Sequence, residues 1–250
     1  MSAVQVYVSV DMEGATGVTH QDDVTEGAAG YEQGRVLVSG NADAAVRGAF
    51  DAGATQVLVN DAHSRMRNLL HDRIDPRAHV IRGFDKPLCM MAGIDADFDA
   101  AVFIGYHARA GTAASIMSHT LLGHQLTEPT LNGKAIGEIE LSALIAGSFD
   151  VPVCLVSGDD HTCQEASAAL GPHVEAVAVK RGLDRFVAEC RSPAETSFAI
   201  RDGVARSLGA HEAEPLRGTL PLVFGVEFIS TTIAATCALL PDVGLRAAPV

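Results

Sequence analysis

Four nearly unbroken apolar runs punctuate the first 160 residues: VQVYVSV at 4–10, TQVLVN at 55–60, AAVFIGY at 100–106 and VPVCLVSG at 151–158. They are continuous rather than alternating, the pattern of strands covered on both faces. Between the first two, Val46, Ala49 and Phe50 repeat at helical spacing within about 35–53, and Gly53 supplies a stop. A second helix is predicted from Gly137 through Gly147 (GEIELSALIAG). A third starts at Ser192-Pro193-Ala194-Glu195, which reads as a capping box with proline in the first turn. Later strand candidates are VEAVAV at 174–179 and LPLVFGVEF at 220–228. Strand and helix in alternation predict an α/β fold: a mostly parallel sheet flanked by helices, with a less regular C-terminal part. Residues 1–250 read as a single α/β domain, in which the chain from about 165 onward is either a smaller subdomain or extra cover on the same sheet.

The residues that follow the strands carry the chemistry. The first run ends in Asp11-Met12-Glu13-Gly14, the second in Asn60-Asp61-Ala62-His63. The third ends in Gly105-Tyr106-His107-Ala108-Arg109 and the fourth in Ser157-Gly158-Asp159-Asp160-His161. Ligands of open parallel sheets bind at the carboxyl ends of the strands, so these side chains converge if the four strands are neighbours. Asp11 and Glu13, at i and i+2, share a face if the strand persists. Oxygen and nitrogen donors without thiolate fit Zn²⁺, Mn²⁺ or Co²⁺. Two such ions need roughly three protein ligands each with one shared. Asp11, Glu13, His63 and His107 supply four, and Glu138, behind Gly137 at a predicted helix start, is the choice for the fifth.

Charge and cysteine usage narrow the partners. Eighteen Lys and Arg against 31 Asp and Glu give a net charge of −13, which argues against nucleic acid or an anionic membrane surface. No apolar run approaches the ~18 residues of a membrane span, and the first residues lack the basic start of a signal peptide. The five cysteines are odd in number and none has C-x-x-C spacing. A reduced, soluble, cytoplasmic protein is expected.

In combination, order and spacing, SVDMEG near the start, VLVNDAHS at 57–64, FIGYHARAG at 103–111, MSHT at 117–120 and GEIEL at 137–141 resemble the D-aminopeptidases of peptidase family M55. The resemblance extends from about residue 4 to about 181. It implies a dinuclear site of two Zn²⁺ per chain held by Asp11, Glu13, His63, His107 and Glu138. Asp11 would bridge, Glu13 and His107 would complete one site, and His63 and Glu138 the other. The family's catalytic histidine falls on His119. The family treats it as a nucleophile, but water activated by metals already supplies an attacking group, which favours proton transfer or charge stabilisation. The implied activity is hydrolysis of short peptides, with preference for N-terminal D-residues. The implied assembly is a homo-oligomer, a pentamer-based decameric ring. Family members continue with another strand and helix beyond a segment like GVEF…LLP, whereas here the chain stops at Val250 soon after Leu239-Leu240-Pro241; altered C-terminal cover is expected.

Competing patterns are weak. His124, five residues from His119, reads as a solvated loop residue. His211-Glu212 begins like H-E-x-x-H, but position 215 is proline. No G-x-S-x-G or strand-linked G-x-G-x-x-G is present, and Gly133-Lys134 lacks the rest of a P-loop. Cys163 reads as a structural thiol. Asp159, Asp160 and His161 are either partners that orient ligands or a helix cap, and Arg109 pairs with a substrate carboxylate, a ligating glutamate or the surface. The alternatives to an aminopeptidase are a metal-dependent hydrolase of another small amide or, with less support, a phosphoester, and a non-catalytic, metal-stabilised peptide-binding ring protein.

Overall fold

A computed structural model describes residues 4–123 and 125–246. The elements run in the order β1 (Gln5–Val10), α1 (Gln21–Val24), α2 (Tyr31–Asp51), β2 (Gln56–Asp61), β3 (His79–Ile81) and β4 (Ala100–Ile104). Then come β5 (Leu126–Leu131), β6 (Lys134–Ala135), α3 (Glu138–Ser148), β7 (Val153–Asp159) and α4 (Asp160–Leu170). The chain continues through β8 (Glu175–Asp184), β9 (Val187–Cys190), α5 (Pro193–Ala210), β10 (Phe224–Phe228) and α6 (Thr231–Cys237). His124, expected in a solvated loop, lies outside the described residues.

One seven-stranded sheet has the order β3-β2-β1-β4-β7-β8-β9, parallel throughout except for the β8–β9 hairpin at its edge. The expected α/β fold with a mostly parallel sheet is therefore observed, and the four apolar runs are adjacent parallel strands. Their continuity has a direct cause. Along β1, Val6, Val8 and Val10 enter the layer formed with α2 and α5, while Tyr7 enters the opposite layer formed with α3 and α4. β4 does the same, with Ala100, Val102 and Ile104 on one side and Ala101 and Phe103 on the other. Both faces are covered, so both sets of alternate positions are mainly apolar, and the Oγ of buried Ser9 in β1 donates to Met90 O. α2 turns Val38, Ala42, Ala45, Val46 and Ala49 inward, and α5 meets it with Ile200, Val204 and Leu208.

The helix start at Ser192 is only half of a capping box. Ser192 Oγ accepts from Glu195 N at 3.3 Å, but the Glu195 carboxylate accepts from Arg191 Nε at 3.0 Å instead of returning to the cap. The strand candidate at 220–228 contains β10, which joins a small antiparallel sheet, β10-β5-β6, whose β5 and β6 lie outside the expected pattern. All five cysteines are free thiols. Among the described residues, no helix is long and apolar enough to cross a membrane.

The winding reverses at β1. The chain lays β2 and β3 on one side of it, then crosses to place β4 and β7 on the other. The loops after β1 and β4 leave the sheet at this switch point, where open α/β sheets form a crevice.

Candidate metal centre

The crevice is built by close backbone approach. Asp11 N donates to Ile104 O and Gly14 N to Gly105 O, each at 2.8 Å. A Cβ at position 14 would collide with the Tyr106 carbonyl oxygen, and Gly105 has φ +70° with its Cα facing the Asp11 carbonyl. Only glycine meets both requirements at position 105. The DMEG and GYH turns can therefore interlock, and this brings Asp11, Glu13 and His107 to one point.

His63 arrives from the end of β2, on the other side of β1. Its Nδ1 lies 3.2 Å from Asp11 Oδ1 and 3.0 Å from Glu13 Oε2. His107 Nε2 lies 3.4 Å from Asp11 Oδ2 and 3.6 Å from Glu138 Oε1. Glu138 sits at the first turn of α3 and accepts Leu121 N at 2.6 Å. The strand order explains the arrangement: β2 and β4 flank β1, so the two histidines reach different oxygens of Asp11. These contacts set Glu13 beside His63 and Glu138 beside His107. A third triad, Glu13, His107 and His119, is also close enough to share an ion.

Each imidazole is anchored through one ring nitrogen to a backbone carbonyl. His63 Nε2 lies 3.0 Å from Val24 O, His107 Nδ1 3.0 Å from Ala108 O, and His119 Nδ1 2.9 Å from Met117 O. With the N–H directed at the carbonyl, the other nitrogen carries its lone pair into the site, the arrangement of metal-ligating histidines. The His107 and His119 rings stack at 4.1 Å, and His119 Nε2 is 3.9 Å from Glu138 Oε1.

The electrostatics call for positive charge. Asp11, Glu13 and Glu138 are each at most 5% exposed. Burial, with the Glu13 charge adding to it, raises the Asp11 carboxyl to about 7. Burial also acts against ionisation of Glu13, but the adjacent His63 outweighs it and holds Glu13 well below the usual range. Burial would lower His63 and His107, yet their carboxylate neighbours hold both well above the ordinary imidazole value. His119 moves the other way, lowered by burial and by His107. Asp11 Oδ2, Glu13 Oε2 and His107 Nε2 are buried without a hydrogen-bond partner. Buried polar atoms are rarely left so, and here each belongs to a residue in a triad close enough to share an ion. The residues therefore fit bound divalent metal.

Lys180 is a supporting residue that sequence reasoning did not single out as functional. Only 1% exposed, its Nζ donates to Glu13 O at 2.6 Å, Ala15 O at 2.9 Å and Val18 O, gathering the turn after β1. A lysine closing the apolar run of β8 was the available signal. Asn68 is another: its Nδ2 donates to Asp61 Oδ1 at 2.8 Å and His63 O at 2.7 Å, and its Oδ1 accepts from Tyr31 Oη. Asp159 caps α4, accepting Thr162 N at 2.7 Å, and also accepts Ile116 N and Ser115 Oγ. Asp160 accepts Gly182 N. Arg109 uses its backbone N–H on Glu165 Oε2 and its Nη1 on Ala110 O. Burial pushes the Cys163 thiol up to about 12, unsuited to a nucleophile. Asp11, Glu13, His63 and Glu138 line a cleft of about 1200 Å³, whose walls include Met66, Phe84, Leu88, Met117, Leu122 and Ile145.

An α/β sheet with carboxylates and imidazoles gathered at its switch point defines a metallohydrolase-type protein. The sequence model of the D-aminopeptidase family, peptidase family M55, matches residues 4–248. The chain is 36% identical over 244 residues to a D-aminopeptidase of Bacillus subtilis (strain 168), covering 97% of this chain and 88% of that protein. A solved structure, the Zn-dependent D-aminopeptidase DppA from Bacillus subtilis, described as a self-compartmentalizing protease, superposes with TM-score 0.92 at 36% identity. It covers the same 97% and 88% shares. The chain belongs to the M55 D-aminopeptidase family, and the family match continues through the C-terminal part, beyond residue 181.

Proposed function

We propose that this chain is a dinuclear zinc aminopeptidase acting on short peptides with N-terminal D-residues, working in the cytoplasm as a homo-oligomeric, pentamer-based decameric ring. The observation that carries the reading is Asp11, whose two oxygens face His63 and His107 from opposite sides within a buried set of five donors. Asp11 would bridge, Glu13 and His107 would complete one site, and His63 and Glu138 the other, a reading supported by the proximity of Glu13 to His107. Two bound zinc ions would supply an activated water and a Lewis acid for the scissile carbonyl.

The chain's own residues do the rest. Anchored to carbonyls, the histidines keep their ligating nitrogens fixed, so ligand geometry is set before substrate arrives. His119, neutral because burial and His107 lower its proton affinity, presents Nε2 beside Glu138 and is assigned proton transfer at the leaving amine. The apolar cleft walls exclude water from the peptide and set side-chain choice. The homo-oligomer reading draws on the relative's description as self-compartmentalizing and on exposed apolar side chains in the C-terminal segment.

The test combines metal analysis with a stereochemical substrate pair. Purified protein loaded with zinc should hold about two equivalents per chain and cleave D-alanyl dipeptides faster than their L-alanyl counterparts. Retention of no zinc, or hydrolysis of neither series, would refute the reading.

A further inference from the structure

Arg185 stands apart from most arginines of this chain. Eight others hold a carboxylate oxygen within 3.0 Å. Arg185 has no carboxylate within 4.0 Å of its guanidinium among the described residues, although it lines the cleft above the acidic donors. Arg67, on the same cleft, is likewise without an ion pair among the described residues.

Its position is fixed relative to His119. Arg185 sits in the β8–β9 hairpin, and its carbonyl accepts Met117 N at 2.9 Å. Its Nη1 donates to Ser118 O at 3.0 Å. The hairpin is thereby stitched to the two residues that precede His119. One guanidinium arm is occupied by Ser118, and no acceptor for the remaining N–H groups lies among the described residues. The guanidinium also lies 5.6 Å from the centre of the Phe186 ring. The result is a pre-positioned, partly spent fork with donors left over, on the wall of a cleft whose floor is acidic.

We propose that Arg185 forms a carboxylate subsite, receiving the C-terminal α-carboxylate of a short peptide whose amino end lies at the metal centre. The inference rests on the aminopeptidase reading above. A chain of net charge −13 repels a free carboxylate at long range, so admitting one needs a local unpaired cation. A planar guanidinium with spare N–H groups matches a carboxylate in geometry as well as charge. The subsite gives the enzyme a means to prefer peptides short enough to touch both ends of the cleft. Lys86 does not compete for this role, because its Nζ is engaged by Asn60 Oδ1, Asp61 O and Ile81 O.

The test compares D-alanyl-D-alanine with D-alanyl-D-alaninamide on the zinc-loaded enzyme, in wild type, Arg185→Ala and Arg185→Gln. Glutamine retains an N–H for the Ser118 carbonyl, so it separates charge from tether. The wild type is expected to favour the free acid. In both variants the acid-to-amide ratio of kcat/KM should fall by about ten- to a hundredfold, the worth of a hydrogen bond to a charged group, chiefly through KM of the acid. Equal losses on both substrates would make Arg185 a tether of the His119 segment only and overturn the subsite, as would an unchanged ratio. A wild type inactive on both peptides sinks the aminopeptidase reading itself, a result seen before any variant is compared.

Discussion

His119 differs from the other two site histidines in what surrounds it. His63 and His107 each approach two carboxylates within 3.6 Å, and those neighbours hold their protons on in the absence of a cation. His119 meets one carboxylate at 3.9 Å and stacks on His107, so burial and a like-charged neighbour lower its proton affinity. At pH 7 it is the neutral imidazole of the cluster, with Nδ1 tied to Met117 O and Nε2 able to accept a proton. His119→Ala should therefore leave about two zinc equivalents bound while kcat falls by roughly 10²–10⁴, the usual worth of a positioned acid–base group. Elemental analysis alongside turnover checks this. Loss of zinc in the variant would show that His119 ligates instead, as the triad with Glu13 and His107 allows.

At the scale of elements, the site depends on two turns that interlock only because their glycines leave room. Gly105 combines φ +70° with van der Waals overlap of any Cβ on the Asp11 carbonyl. Gly105→Ala should cost about 1–3 kcal/mol from backbone strain alone and displace Asp11, lowering zinc content as well as the denaturation midpoint; an unshifted midpoint would rule this out. The same geometry explains what the sequence made legible. Parallel strands buried on both faces must spell continuous apolar runs, and chemistry at a switch point must follow directly after them, so Asp11, Glu13, His63 and His107 could be located by reading off strand ends. β5 was illegible for the opposite reason. LTEPTL mixes polarity because it is half exposed, and Pro129 ordinarily argues against a central strand, yet β5 lies between β10 and β6. Lys180 and Asn68 were illegible because their roles are hydrogen bonds to backbone and side-chain atoms of other segments, a matter of contact that no local spacing encodes. Glu195 satisfied the capping-box spacing, but Arg191, four residues earlier, took its carboxylate.

For the whole molecule, the distribution of apolar surface is lopsided. Of 16 large hydrophobic side chains left exposed among the described residues, nine fall between Leu220 and Leu245, including Leu239 at 84% and Leu220 at 80%. The sheet and its helices bury their apolar faces, whereas the segment carrying β10 and α6 does not bury its own. Soluble monomers rarely leave contiguous apolar patches larger than a few hundred Å². A second copy of the chain is the simplest cover, because a self-associating protein meets its partner at every concentration at which it exists. This accords with the ring assembly proposed above, and it predicts that association runs through the C-terminal segment rather than the edge strands. Leu239→Asp combined with Leu245→Asp should reduce the molar mass measured by light scattering toward that of one chain, with zinc content per chain preserved because no donor lies in that segment. If the wild type has the mass of one chain, or the double variant keeps the full assembly, the C-terminal segment is not the contact that holds copies together.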